Sequence, residues 1–271
     1  MSFYIFSHPE LPWDYCRLSG NPIITMEDVL DHPEIKWDIS MLSENPNITW
    51  DIIQDNPEFD WDYDAFNYNP NISWEIIRDN RIIPRNYRIL SENPGITLDD
   101  IVKTPDIEWY TSRLSNNPNL TWQFVCENFS DDWNFYELSK HSCVTWDIIS
   151  SNPYIKWYYP CISLNPNITW DIVKENQDKP WDYTNLSSNP NITWDIVKEN
   201  RNKPWDYTNL SSNPNITWDI VNENVMNIFD NFSQNPNVTW NIIEKYPGYN
   251  WDYTSLSSNP CVSYWELYTL K

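Results

Sequence analysis

The sequence predicts an all-α fold: an α-solenoid of about ten 24-residue units, each made of two short helices. Three observations carry that prediction. The first is repetition: NPNITWDIVKENQDKPWDYTNLSS at 165–188 returns as NPNITWDIVKENRNKPWDYTNLSS at 189–212, with only Gln177/Arg201 and Asp178/Asn202 different, the signature of a stacked array. The second is a ladder of tryptophans at alternating spacings of 13 and 11, running Trp50, Trp61, Trp74 and again from Trp122 to Trp218. The third is punctuation, because each half-unit carries a helix-starting signal at the tryptophan and a proline after it.

Taken in order, the units follow the proline of a recurring Asn-Pro pair: Pro22, Pro46, Pro70, Pro94, Pro118, Ser142 in its place, Pro166, Pro190, Pro214, Pro236 and Pro260. The step is 24 residues except from Pro214 to Pro236, where it is 22; that short unit is expected to disturb the stack around Asn227 to Gln234. Residues 21–258 hold the ten units, with 1–20 and 259–271 as capping half-units. In the first half, Thr49 offers an N-cap hydroxyl and Asp51 complements the exposed amides of the first turn. A helix is therefore expected from Trp50 to near Asn56, where Pro57 ends it. In the second half, Trp61-Asp62-Tyr63 is expected to open a helical turn, with an apolar slot five residues after the tryptophan (Leu18, Leu42, Phe66, Leu186, Leu210) and a serine next.

Neither helix is long enough to be stable alone, so each unit buries its apolar stripe only against its neighbours. About ten layers spaced roughly 8–10 Å make a superhelical rod on the order of 100 Å long, without strands. The tryptophans read as core, and Trp194 as a fully packed side chain. Trp265, one step out of register after Tyr264, reads as a cap for the last layer or a solvent-facing ring.

The string NPNITWDIV…LSSNPN resembles the leucine-rich repeat variant family, whose 24-residue units also join NPN-T-led α-helices to shorter second helices. That resemblance covers the array and implies a right-handed superhelix alternating an α-helix with a 3₁₀ or short α-helix. The cysteine cluster of that family's iron–sulfur variant is missing here. The near-identical units and the NPNITW wording are also similar to tandem-repeat proteins of giant DNA viruses of amoebae, which implies a viral origin and residence in host cytoplasm or virion.

Composition narrows function. Three glycines against 18 Trp, 17 Tyr and 21 Pro leave too few positive-φ positions for glycine-looped nucleotide folds, and Pro with Asn must make the turns. A formal charge of −22 opposes direct contact with nucleic acid or an anionic membrane. Five scattered cysteines (Cys16, Cys126, Cys143, Cys161, Cys261) show no CxxC or CxxH pairing, so no metal site, cofactor or disulfide framework is expected. No leader or membrane span is read in the sequence, and a cytoplasmic, reducing location fits. His8, His32 and His141 stand where turn asparagines recur, and the Asn-x-Ser/Thr matches from Asn47 to Asn237 read as turns and caps. Acids after the tryptophans, such as Asp51, Asp171 and Asp195, read as helix-terminal charges. No catalytic constellation is expected.

One stretch breaks the pattern. Arg78, Arg81, Arg85 and Arg88 gather in RDNRIIPRNYRIL, with Arg85 in an aromatic slot. They are expected on adjacent turns of one surface, either paired with acids such as Asp55 and Asp79 or presenting guanidinium forks to an acidic or aromatic partner. The functional expectation is a non-catalytic protein-interaction scaffold. The alternative is an acidic nucleic-acid mimic that sequesters a basic DNA- or RNA-binding protein by its field.

Overall fold

A computed structural model describes residues 3–128, 132–223 and 232–260. All regular elements among them are helical: twenty α-helices of four to six residues and two short 3₁₀ helices, one pair recurring per repeat. First helices such as Trp50–Asp55, Trp170–Glu175 and Trp194–Glu199 begin and end where the sequence signals lie. The Thr49, Thr169 and Thr193 hydroxyls accept the N–H three residues on, and Asn56, Asn176 and Asn200 close the last turn.

Second helices start later than expected. In Ile39–Glu44, Tyr183–Ser188 and Tyr207–Ser211 the aspartate after the tryptophan is itself the N-cap, its carboxylate accepting the N–H three residues on. Those amide hydrogen bonds hold Asp38 and Asp62 below the ordinary carboxylate range. The tryptophan stays outside the helix because its indole has another use. Trp61, Trp181 and Trp205 donate their N–H to the carbonyls of Asn56, Asn176 and Asn200 at 2.8, 2.8 and 2.9 Å, which ties each second half to the C-cap of the first.

Buried between the two helix rows runs a chain of aliphatic side chains, among them Ile192, Val197 and Leu210, each at most 1% exposed. Beside it lie two polar ladders. Asn45, Asn69, Asn165 and Asn189, all fully buried, donate to carbonyls of the preceding unit; Asn189 reaches Ser163 O at 2.9 Å and Asn165 O at 3.0 Å. Each also accepts the N–H two residues on, as Asn189 does from Asn191. The buried serines form the second ladder: Ser187 Oγ donates to Tyr183 O (2.7 Å) and accepts the N–H of Asp206 in the next unit (2.9 Å). Expected as turn residues, these asparagines satisfy buried backbone groups between layers. His141 fills one rung, its Nε2 on Asn117 O (3.0 Å) and its Nδ1 receiving the N–H of Cys143 (3.1 Å).

The ladders do not stop at the ends of the array. Asn21 donates to Ser257 O (2.8 Å) and Asn259 O (3.3 Å), and Ser257 Oγ accepts the N–H of Asp14 (3.0 Å). Trp13 lies 5.3 Å from Trp240 and 5.0 Å from Tyr253, the places that Trp170 and Tyr183 take beside Trp205 (5.6 and 5.2 Å). The expected open rod is instead a closed ring of eleven layers, with the helix Tyr15–Ser19 seated on Tyr253–Ser258 as the next layer. Repeat spacing defines each interface but not the angle between layers. That angle comes from the wedge shape of a unit, with tryptophan and isoleucine on the first helix and serine, asparagine and leucine on the second.

The closest approaches between helices of neighbouring units are between second helices, such as Phe135–Lys140 with Tyr159–Leu164 and Tyr159–Leu164 with Tyr183–Ser188, and first helices lie further from one another. The second helices therefore form the inner wall and the first helices the outer one. At layer spacings of about 8 Å and helix diameters of about 10 Å, eleven layers leave an opening roughly 15–20 Å across. Of the expected disturbance at Asn227 to Gln234, residues 227–231 lie outside the described residues, as do Cys261 and Trp265. On the far side of the short unit the helix is a 3₁₀ turn, Phe232–Gln234, yet Asn235 still bonds Ser211 O and Asn213 O at 2.7 and 3.0 Å.

Candidate interaction surface

Once core, caps and ladders are assigned, the side chains still free to vary are those of the outer helices and turns, such as Gln177 and Arg201, and those pointing off the second helices into the ring. The inward ones sit one, three, four and seven residues after the second-half tryptophan. Neighbouring layers meet through them: Cys16 with Asp38 (3.1 Å), Ser40 with Asp62 (2.9 Å), Arg113 with Glu92 (3.2 Å), and Asn185 with Pro160 O (2.9 Å). From 181 onward this wall carries small side chains, Thr184, Ser188, Thr208 and Ser212, beside the N-cap aspartates Asp182 and Asp206. Between 61 and 164 it carries large residues instead. Tyr68, Tyr110, Tyr136 and Tyr158 are 52, 47, 49 and 42% exposed, and Tyr136 stands edge-on to Tyr158 at 5.5 Å with Lys140 over its ring at 5.7 Å.

The four arginines are not on one surface. Arg78, at the end of the outer helix Trp74–Asp79, is bound to its neighbour Asp79 at 2.8 Å, not to Asp55. Arg85 reaches back to Arg78 O at 3.5 Å. Arg81 is exposed in the turn between the two helices. Arg88 belongs to the inner helix Tyr87–Leu90. Arg85 and Arg88 come together with Tyr87 and Tyr110 around a recess of about 350 Å³. Neither Arg81 nor Arg88 has an ion-pair partner among the described residues, whereas Arg113 and Lys140 on the same wall are paired with Glu92 and Glu137.

The tyrosines were missed from sequence. A signal existed: Tyr110 and Tyr158 stand where regular units have the N-cap aspartate, and their helices have no side-chain cap. The helix-stabilising residue is given up there for an exposed ring.

Among the described residues no group of histidine, cysteine or acidic side chains is arranged to hold a metal ion, and no helix is long and apolar enough to cross a membrane. Comparison with known proteins finds no matching family model, no matching curated sequence and no matching solved structure.

Proposed function

We propose that the ring is a non-catalytic scaffold that holds another protein, with its contact arc on the inner wall between Tyr68 and Tyr158. The observation that carries this reading is the uneven wall. Small residues and capping aspartates suffice for stacking from 181 onward, so the exposed tyrosines and Arg88, which has no ion-pair partner among the described residues, are extra to what the fold requires. Tyrosine and arginine supply contact area and directional hydrogen bonds at interfaces. The likeness of the repeat to leucine-rich repeat variant and giant-virus tandem-repeat sequences is compatible with a viral scaffold, and the free thiols of Cys16, Cys126, Cys143 and Cys161 suit a reducing cytoplasm.

A second reading rests on the outer wall, where Asp171 and Asp195 side chains are 77 and 80% exposed: an acidic mimic occupying a basic nucleic-acid-binding protein. Salt separates the two readings. Capture from host extract at two ionic strengths should survive high salt for the scaffold and collapse for the mimic. Replacing Arg81, Arg85 and Arg88 by Ser should weaken capture with melting nearly unchanged. Unfolding of that variant would make the arginines structural, and intact capture would move the binding face elsewhere.

A further inference from the structure

In the regular layers each second-half tryptophan is packed by two aromatic rings from the unit before. Trp181 has Trp146 and Tyr159, both at 5.6 Å, and Trp205 has Trp170 and Tyr183. Trp157 has Trp122 and Phe135, both at 5.9 Å. Trp133 departs from this arrangement, because the two corresponding positions are Leu98 and Thr111. Both flanking rings are missing from this layer, as they are from the layer of Trp61. Phe124, where other units have isoleucine, fills part of the space from 6.3 Å away. What remains on the Thr111 side is a recess of about 260 Å³, open to solvent on one side and lined by Ile107, Trp109, Thr111, Phe124 and Trp133; Leu98 is not on its lining. At Trp61 the same two positions hold Met26 and Ile39, whose longer side chains lie in or against the core.

We propose that this recess is a binding site for a planar aromatic ring of indole size carrying an N–H donor. Thr111, on its lining, stands where other layers place a tyrosine or phenylalanine ring against the second-half tryptophan, so the wall made by Trp133 already faces an aromatic plane in the regular layers. An apolar cavity of about 150 Å³ holds benzene, and the larger volume here suits a two-ring system. Glu108, on the lining, offers a carboxylate acceptor for the N–H; Thr104 Oγ1 is already engaged by the Trp109 indole at 3.0 Å and by Asp100 O at 2.6 Å. The site does not depend on the scaffold reading.

The test is titration of the full chain with 5-fluoroindole, followed by ¹⁹F NMR of the ligand so that the protein's own tryptophans do not interfere. Saturable broadening is expected, weakened at least tenfold in Thr111→Tyr and in the Leu98→Trp/Thr111→Tyr double variant, which restore the regular layer. Trp146→Leu/Tyr159→Thr should open an equivalent site beside Trp181 and raise the stoichiometry to two. A short peptide containing 5-fluorotryptophan distinguishes the sources: tighter peptide binding assigns the ring to a protein side chain, tighter free indole to a small molecule. Absence of saturation with both ligands, or unchanged binding in folded Thr111→Tyr, overturns the proposal.

Discussion

Each buried asparagine of the ladder makes several hydrogen bonds with one amide, and no other side chain of that size donates and accepts in the required geometry. Removing Asn189 leaves Ser163 O without this donor and Asn191 N–H without its acceptor in a dry interior. Asn189→Ala should therefore cost roughly 2–4 kcal/mol in urea unfolding, while Asn191→Ala, half-buried and donating to Pro166 O at 2.7 Å, should cost about 1 kcal/mol. Equal losses would mean that the inner rung is hydrated. The one rung that is not asparagine makes a pH experiment possible. Burial holds His141 below the usual imidazole range, so the unfolded chain takes up the proton first as pH falls. Stability from this group is complete above about pH 6.5 and is lost below it. The urea midpoint of the wild type should fall more steeply between pH 7.5 and 5.5 than that of His141→Asn; parallel curves would show that His141 does not titrate differentially.

Among the helices, the division of labour between the two tryptophan rows was only partly legible. The first-helix signals (Thr at the N-cap, tryptophan at the start, proline after the end) place Trp50–Asp55 and its copies correctly, because capping is local chemistry. The second helix was misplaced at its start because Trp-Asp reads as two helical residues. In fact the aspartate caps the helix and the tryptophan is held back by its N–H bond to the previous C-cap, a contact that no local rule announces. Burial varies within each row, since Trp157 and Trp181 of the second are half-buried and Trp218 and Trp240 of the first are buried. Trp205 is 7% exposed, whereas Trp194, expected to be fully packed, is half-buried on the outer wall. Trp205→Ala should cost roughly 3–5 kcal/mol and Trp194→Ala about 2 kcal/mol. Asp195→Ala, which loses an exposed pair to Lys198 at 2.7 Å, should cost about 1 kcal/mol at most. A Trp194 loss matching that of Trp205 would mean that the outer row is covered in solution. The arginines taught a related lesson: Arg78 to Arg88 stood out in sequence, but a segment crossing from the outer to the inner helix divides them between two walls. The exposed tyrosines became visible only when the walls were assigned.

At the level of the whole molecule the period was readable and the closure was not, because a small wedge angle repeated in every layer decides between a rod and a ring. Closure predicts small-angle scattering with a maximum dimension well below the ~100 Å of a stacked rod. Trp13→Ala removes the rings' contact at the seam with Trp240 and Tyr253 while leaving every other layer intact. It should lengthen the particle, or link copies in a concentration-dependent way through their matching end faces, with helical circular dichroism retained. An unchanged scattering profile would show that the seam closes without that indole. Closure also bears on inheritance. An open solenoid can gain or lose a unit by unequal recombination at little cost, and the near-identical stretches 165–188 and 189–212 are ready substrates for it. In a ring, eleven layers each turn by roughly 33°, and losing one obliges all the survivors to turn further or leaves the circle broken. Units can drift in the side chains that face the opening, but their number is counted by geometry at each generation.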